Sequence, residues 1–231
     1  MLTAHLFANT GGGILADLLN GHCPSLAIEY DPHKCAVLRH RYPELMVVEG
    51  DCHQMDFDAW HGQVDALHAG VPCPMWSNAR HGLGTTLDLR PEVVRITGQI
   101  RPKWVFIECV TGFKKEIPDL RRRFGSIGYT LSRPLDMSSA RVGAPHYRDR
   151  LWVAAHADDH GEPVVPIYAE TCWLPEPDPT PWEADAESLQ VVDGVADRWE
   201  MECAGDGQVP LCAAVAWRML GLPYCASSSG R

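Results

Sequence analysis

The sequence has no long apolar run. Within its 231 residues no stretch approaches the roughly 18–20 consecutive apolar residues that a membrane-spanning helix needs. The N-terminus also lacks the charged segment followed by an apolar segment that defines a secretory signal. We therefore expect a soluble, cytoplasmic protein with no membrane partner.

The sequence also has no group of residues with the spacing of metal ligands. The nine cysteines include no C-x-x-C pair, and no cluster of ligand residues has the spacing of a zinc site. A chain of this length can bury a sufficient core without metals or disulfides. The sequence therefore predicts no bound metal.

Basic residues are scarce, because 20 Lys and Arg stand against 30 Asp and Glu. The basic residues are distributed unevenly. Residues 1–78 contain 3 basic and 9 acidic residues, whereas residues 79–150 contain 14 basic and 7 acidic ones. Residues 151–231 contain 3 basic and 14 acidic residues. A basic middle third fits a surface that faces phosphates. A solvated helix face accounts for Arg121, Arg122 and Arg123 equally well, so charge alone does not decide.

Short apolar runs alternate with amphipathic stretches in the first 156 residues, which predicts an α/β fold with a mostly parallel sheet and helices on both faces. The predicted strands cover residues 2–8, 25–29, 45–48, 64–69, 103–108, 129–135 and 150–156. The predicted helices cover residues 12–20, 32–41, 91–100 and 114–125.

The composition of the sequence changes after residue 156. Residues 157–190 are rich in proline and acid, which predicts an irregular insert and not a second folded domain. Residues 191–231 include an apolar stretch at about 210–220 that predicts a helix. We expect this last segment to return to the domain formed by residues 1–156.

Three successive strand ends carry residues suited to a nucleoside cofactor. The first strand leads into the glycine-rich turn of residues 6–13, which lets a ligand approach the backbone closely. The second ends at Glu29, where a carboxylate can bind ribose hydroxyls. The third is followed by Asp51. Each feature alone is weak, but together they favour a cofactor cleft.

The next strand ends carry reactive groups. Cys73 stands between Pro72 and Pro74 just after a strand, and a thiol on a stiff loop at this edge is a candidate nucleophile. Glu108 ends an apolar strand, where burial would favour its protonated form. The sequence then places Arg148 and Arg150 two residues apart, so that they point the same way on an extended backbone.

In this order, the motifs resemble those of the cytosine carbon-5 DNA methyltransferases. The segment F-A-N-T-G-G at residues 7–12 is similar to the family's F-A-G-x-G-G turn, and Pro72-Cys73 to its proline-cysteine motif. Glu108 is similar to the glutamate of E-N-V, the two arginines to those of Q-x-R-x-R, and residues 205–210 to a G-N-x-V-P-type segment. The resemblance covers residues 2–156 and about 191–220.

The resemblance implies a Rossmann-like methyltransferase fold, S-adenosylmethionine as cofactor, and methylation of a cytosine flipped out of DNA. It implies that Cys73 attacks carbon-6, with Glu108, Arg148 and Arg150 as further catalytic residues. The implied cofactor-binding residues are Phe7, Ala8, Asn9, Gly11, Gly12, Glu29, Tyr30, Asp51, Cys52, Pro72 and Asp206. A loop over residues 78–90 would close on the base, and the substrate-binding residues would be Ser77, Arg80 and Arg90.

The departures from the family pattern leave alternatives open. Asn9, Pro74, Cys109, His146 and Asp206 each replace the usual residue, and the region available for target recognition is short and acidic. We expect relaxed sequence specificity or a partner chain that supplies it, in a bacterial or phage-encoded setting. The alternatives are an RNA cytosine methyltransferase and a catalytically silent nucleic-acid-binding protein.

Overall fold

The computed structural model describes residues 1–72, 88–144, 146–159 and 207–224. Within these ranges a single sheet of eight strands forms the centre of the domain. The strands are β1 (Leu2–Leu6), β2 (Cys23–Glu29), β3 (Met46–Glu49), β4 (Ala66–Gly70), β5 (Trp104–Val110), β6 (Tyr129–Leu131), β7 (Leu135–Ser138) and β8 (Asp149–Ala157).

The strand order is β3-β2-β1-β4-β5-β8-β6, with β7 also paired to β8. The first five strands of this order are parallel, whereas β8 runs antiparallel to its neighbours β5, β6 and β7. The chain winds outward from β1 to β3 and then returns to place β4 on the other side of β1. Ligand sites of open α/β sheets form at the carboxyl end of such a reversal.

Helices cover both faces of the sheet, as predicted. They are α1 (Gly12–Leu19), α2 (Pro32–Arg41), α3 (Arg90–Ile100), α4 (Ile117–Ser126) and α5 (Pro210–Met219). The start of α2 shows why a helix begins there: Asp31 accepts hydrogen bonds from the backbone N–H groups of His33 and Lys34, and Pro32 fits the first turn. None of the described helices is long and apolar enough to cross a membrane.

The two faces of the sheet have different cores. On one face, α3 and α4 pack on alternate strand residues that are all apolar, such as Leu67 and Ile107. On the other face, α1 and α5 pack against a cluster that contains Phe106, Trp152 and Trp217. The C-terminal helix thus lies on α1, although almost 200 residues separate them in the sequence.

Two sequence-based predictions are wrong in detail. Residues 129–135 form two strands and not one, because the chain bends at Ser132–Pro134, and a proline has no N–H to give to a ladder. The helix predicted from residue 114 begins at Ile117, after a 3-10 turn over Thr111–Glu116, with Pro118 in its first turn.

Candidate active site

The turn after β1 has an unusual backbone. Phe7, Asn9 and Gly11 all have positive φ angles, of 54°, 50° and 96°. Asparagine tolerates this region better than most residues, and its side-chain oxygen also accepts a hydrogen bond of 2.7 Å from the N–H of Thr10. The structure therefore explains how Asn9 can stand where the family pattern has glycine.

Glycine is required at Gly12 and Gly13 by close approach. A Cβ atom on Gly12 would lie 2.3 Å from the backbone oxygen of Gln208, and one on Gly13 would lie 2.6 Å from that residue's Oε1. Across the cleft, a Cβ on Gly70 would lie 2.9 Å from the Nε2 of the same side chain. Gln208 thus fills the space that three glycines leave, so the C-terminal segment completes this end of the domain.

The carboxylate of Glu29 is buried at the end of β2. It accepts backbone hydrogen bonds from Asn9 at 2.8 Å, from Tyr30 at 3.0 Å and from Asp31 at 3.1 Å. These contacts fix the turn after β1 to the end of β2. The Tyr30 side chain is 73% exposed, so its ring is open to a ligand.

Asp51 lies after β3 at the same edge of the sheet. Its Oδ1 accepts from the backbone N–H of His53 and contacts the His53 ring at 2.8 Å. These hydrogen bonds lower the pKa of the Asp51 carboxyl, so it is ionised at neutral pH. Burial raises the pKa of the neighbouring Cys52 to about 11, which makes it a neutral thiol and not a nucleophile.

A small open cleft lies at the turn after β1. It is lined by the turn residues Phe7, Ala8 and Asn9, by the glycines just described, by two histidines and by Gln208. The cleft is at the reversal of strand order between β1 and β4, where the sequence predicted a cofactor.

Glu108 on β5 lies next to Gly70 and Gln208, which line this cleft. It is 6% exposed, and its Oε1 lies 2.8 Å from Nε of Arg150. Gln208 Nε2 lies 3.5 Å from the other carboxylate oxygen. Burial raises the pKa of Glu108, although Arg150 and Arg148 oppose the shift. A carboxyl with a raised pKa can donate a proton near neutral pH.

Both arginines of the last motif lie beside this carboxyl. Arg148 Nη2 donates a 2.5 Å hydrogen bond to the backbone oxygen of Gly207, which ties the C-terminal segment to the site. Arg150 contacts Glu108 directly. The prediction that the two arginines serve one site thus agrees with their positions, while their catalytic roles remain predictions.

Arg90 has other partners. Its guanidinium donates to Asp88, to Glu116 at 2.6 Å and to Asp119 at 3.4 Å. These ion pairs hold the start of α3 against α4, on the face of the sheet opposite Glu108. Substrate binding by Arg90 remains a prediction, and it would require this network to open.

Several predicted residues lie outside the described ranges, namely Cys73, Ser77, Arg80 and Asp206. The structure does show where their neighbours are. Pro72 is exposed two residues after β4, and the N–H of Val71 donates a 3.0 Å hydrogen bond to the backbone oxygen of Glu108. The end of β4 therefore lies beside the backbone of Glu108.

Sequence reasoning missed the polar side chains beneath the cleft. His5 on β1 and His68 on β4 are paired in register, with ring centroids 5.0 Å apart, and Asp17 of α1 lies against both. It also gave no role to Gln208. One signal was available: a histidine inside an apolar strand needs a polar partner or ligand when it is buried.

Comparison with known proteins identifies the family. Residues 1–195 match the family described as C-5 cytosine-specific DNA methylase. The chain is 34% identical over 162 residues to the Type II methyltransferase M.Eco47II of Escherichia coli, which covers 67% of this chain and 39% of that protein. It is 30% identical over 160 residues to M.NgoMIV of Neisseria gonorrhoeae, covering 66% and 51%. The chain thus spans about half or less of these relatives' length.

Solved structures confirm the fold class. The S. pombe Dnmt2 methyltransferase superposes with a TM-score of 0.59 at 16% identity, over 75% of this chain and 57% of that chain. A DNMT2 variant from Spodoptera frugiperda superposes with a TM-score of 0.57 at 19% identity, over 70% and 51%. At these identities the likeness concerns the fold alone.

Proposed function

This chain belongs to the C-5 cytosine-specific DNA methylase family, and from that premise we propose that it transfers a methyl group from S-adenosylmethionine to carbon-5 of cytosine in DNA. The observation that carries the proposal is the buried Glu108, whose pKa is raised, paired with Arg150 at the edge of the cleft. Each residue role below is part of this proposal.

The residues of the cleft fit the cofactor. The positive-φ turn exposes backbone to a ligand, and Gln208 packs closely against Gly12 and Gly13 beside it. Gln208 Oε1 is buried without a hydrogen bond in the described ranges, so an acceptor is available there. Phe7 lines the cleft, while Glu29 at the end of β2 and Asp51 after β3 lie at the same edge of the sheet. When bound, S-adenosylmethionine supplies an electrophilic methyl group.

Glu108 acts as a proton donor to the base. Carbon-5 of cytosine is a weak nucleophile until another group adds at carbon-6. That addition pushes electron density toward N3, and a protonated carboxyl can give N3 its proton and prevent negative charge from accumulating on the ring. Burial of Glu108 raises its pKa against the effect of Arg150 and Arg148, and so keeps that proton on the carboxyl at a higher pH than in water.

The arginines complete the pocket for the base. The side chain of Arg150 is 19% exposed beside Glu108, so it can bind the O2 oxygen of cytosine while it limits the rise in the carboxyl's pKa. Arg148 holds Gly207, and with it the position of Gln208. We assign Arg150 to the base and Arg148 to positioning.

Cys73 is the nucleophile that adds to carbon-6. Its sulfur forms a bond to carbon-6, and the pair of electrons released by that addition activates carbon-5 toward the methyl group. Loss of the proton from carbon-5 then expels the thiolate and restores the ring. This assignment rests on the proline-cysteine motif that follows β4.

DNA is the proposed substrate because the family model and both relatives concern DNA methylases or Type II methyltransferases. The DNA sequence that is recognised, and any partner chain that contributes to its recognition, do not enter this argument. The base must leave the helix to reach a carboxyl as buried as that of Glu108, so we expect base flipping.

The test is transfer of a labelled methyl group from S-adenosylmethionine to mixed-sequence duplex DNA, with the product nucleosides identified. We expect 5-methylcytosine with the native chain and none with Cys73→Ser. Cys23→Ser is the matched control, because Cys23 is an exposed free thiol. An oligonucleotide that contains 5-fluorocytosine should form a covalent complex with the native chain only, since fluorine cannot leave carbon-5 as a proton does.

Three other outcomes would change this proposal. Methylation of RNA in place of DNA would keep the mechanism and replace the substrate. Cofactor binding without methylation or covalent trapping on either nucleic acid would overturn the proposal in favour of a catalytically silent binding protein. Equal activity in Cys73→Ser and the native chain would remove Cys73 from the mechanism.

A further inference from the structure

Four polar side chains meet beneath the cleft, between the sheet and α1. Asp17 is 1% exposed, and it is surrounded by three imidazoles, those of His5, His22 and His68, which are all 4% exposed or less. The ring of His5 approaches Asp17 Oδ2 at 3.0 Å, while His22 and His68 approach Oδ1 at 3.4 and 3.7 Å. Such a group is costly to bury unless it is compensated.

The hydrogen bonds of this group are incomplete in the described part of the chain. Neither ring nitrogen of His68 makes one, and Asp17 Oδ2 makes none despite the nearby His5 ring. Buried polar atoms of native proteins are nearly always satisfied by protein, water or a ligand. The unsatisfied atoms belong to residues that commonly bind metals, and they face one another.

We propose that His5, Asp17 and His68 form a binding site for a transition-metal ion of the zinc type. One donor atom from each lies within 4.8 Å of the other two. Donors around a tetrahedral zinc ion with bonds of about 2.0–2.2 Å are roughly 3.3–3.6 Å apart, so the donor atoms would have to approach one another by up to about 1.2–1.5 Å on binding. Imidazole nitrogen and carboxylate oxygen are ligands that zinc accepts readily.

An ion can reach this site, and a supporting contact is in place. His5 and His68 both line the cleft, so the path from solvent passes the glycine turn. His22 lies on the far side of Asp17, where its other ring nitrogen contacts the backbone oxygen of Pro223 at 3.1 Å. It therefore fits the role of a residue that orients the carboxylate ligand.

This inference departs from the sequence-based prediction of no metal. The ligands stand at positions 5, 17 and 68, a spacing that matches no zinc motif, and the pairing of β1 with β4 brings two of them together. It does not depend on methyl transfer, because metal content and ligand type can be measured without a nucleic-acid substrate.

The experiment uses the whole chain without a polyhistidine tag. After exposure to Zn²⁺ and removal of weakly bound ions, elemental analysis should find about one ion per chain. His68→Ala and Asp17→Asn should each lose it, and His22→Ala should bind about 10–100-fold more weakly. His53→Ala is the matched control, because His53 belongs to the separate group Asp51, Cys52 and His53.

A second measurement covers the case in which a variant fails to fold, which circular dichroism would reveal. Substitution of Co²⁺ into the native chain should give the visible absorption of a four- or five-coordinate site, with two histidine ligands in its shifted proton NMR spectrum. Absence of tight binding in the native chain would overturn the proposal and leave a proton as the compensating charge. Retention of the ion by folded His68→Ala, or its loss from His53→Ala, would also overturn it.

Discussion

The same strands present apolar side chains to one face of the sheet and several polar side chains to the other. On β4 and β5, Leu67 and Ile107 point toward α3 and α4 into a core that is wholly apolar. Their neighbours His68, Phe106 and Glu108 point toward α1 and α5. Since side chains alternate along a strand, a single strand can serve an apolar core with one set of residues and a reactive site with the other.

The difference between the two faces explains how the domain can bury polar groups, whose burial costs free energy. Apolar burial contributes about 25 cal/mol per Å², without partners or direction. The α1 and α5 face also buries large apolar side chains, among them Trp152 and Trp217, but it adds polar groups that need partners, as Glu108 has Arg150. Apolar burial on both faces offsets the cost of these polar groups, so substitutions at polar and at apolar positions should affect different properties.

The largest expected effect is on the polar face. Glu108→Gln should lower kcat for methyl transfer by about 10²–10⁴-fold, because glutamine can donate a hydrogen bond to N3 but cannot give up a proton. Single-turnover transfer measures this directly. Glu116→Gln is the matched control on the other face, since Glu116 pairs with Arg90, and its kcat should not change.

The same variant should alter the pH profile. The neutral acid form of Glu108 exists below its raised pKa, so kcat of the native chain should fall as pH rises through that value, about tenfold per pH unit. The decrease should be absent in Glu108→Gln. A native profile that rises over this range would contradict the role of Glu108 as an acid.

A matched pair of phenylalanines compares the faces for stability. Phe124 on α4 and Phe106 on β5 are both fully buried. Each change to alanine should lower the free energy of unfolding by about 3–5 kcal/mol in urea titrations. Only Phe106→Ala should also lower kcat of the folded fraction, because Phe106 packs against His68 at 4.8 Å between centroids. Equal loss of kcat in both variants would remove the functional difference between the faces.

Gly12→Ala should weaken binding of S-adenosylmethionine by at least about tenfold, equivalent to about 1.4 kcal/mol. The added methyl group would lie 2.3 Å from the backbone oxygen of Gln208 and would displace the C-terminal segment. Calorimetric titration gives the affinity. Gly125→Ala on α4 meets no atom within 4 Å and should bind the cofactor normally, with a small gain in stability.

The smallest effect concerns Arg90. Arg90→Ala should lower the free energy of unfolding by about 1 kcal/mol through loss of its partly exposed ion pairs. The KM for DNA should change little, because the guanidinium lies on the α3 and α4 face. A raised KM with unchanged stability would instead support the substrate-binding role that its place in the sequence suggested.

Sequence patterns predicted most of the elements because their signals are local. A strand that ends in a glycine turn is visible in residues 2–13, and the proline at residue 32 marks a helix start. The break between β6 and β7 was missed because Tyr129, Leu131 and Leu135 keep the two-residue phase of a single strand. The antiparallel direction of β8 depends on which strand it joins, which local patterns do not encode.

The residues of the candidate site also fall into two groups, those that the sequence pattern identified and those that it did not. The glycine turn, Glu29, Glu108 and the paired arginines could be identified from the sequence because each follows or ends a strand, and parallel strands end at one edge. Gln208 could not be placed, since its position between three glycines depends on a return of the chain across the whole domain.

The sequence by itself determined the class of fold, the order of the strand-end motifs and the family. Those features depend on spacing along the chain, which periodicity and turn chemistry preserve. Only the tertiary structure decided that Arg90 is bound by carboxylates, and that His5, Asp17 and His68 share one buried space. Contacts of this kind join residues far apart in the chain, so their energies depend on burial and distance that no local pattern records.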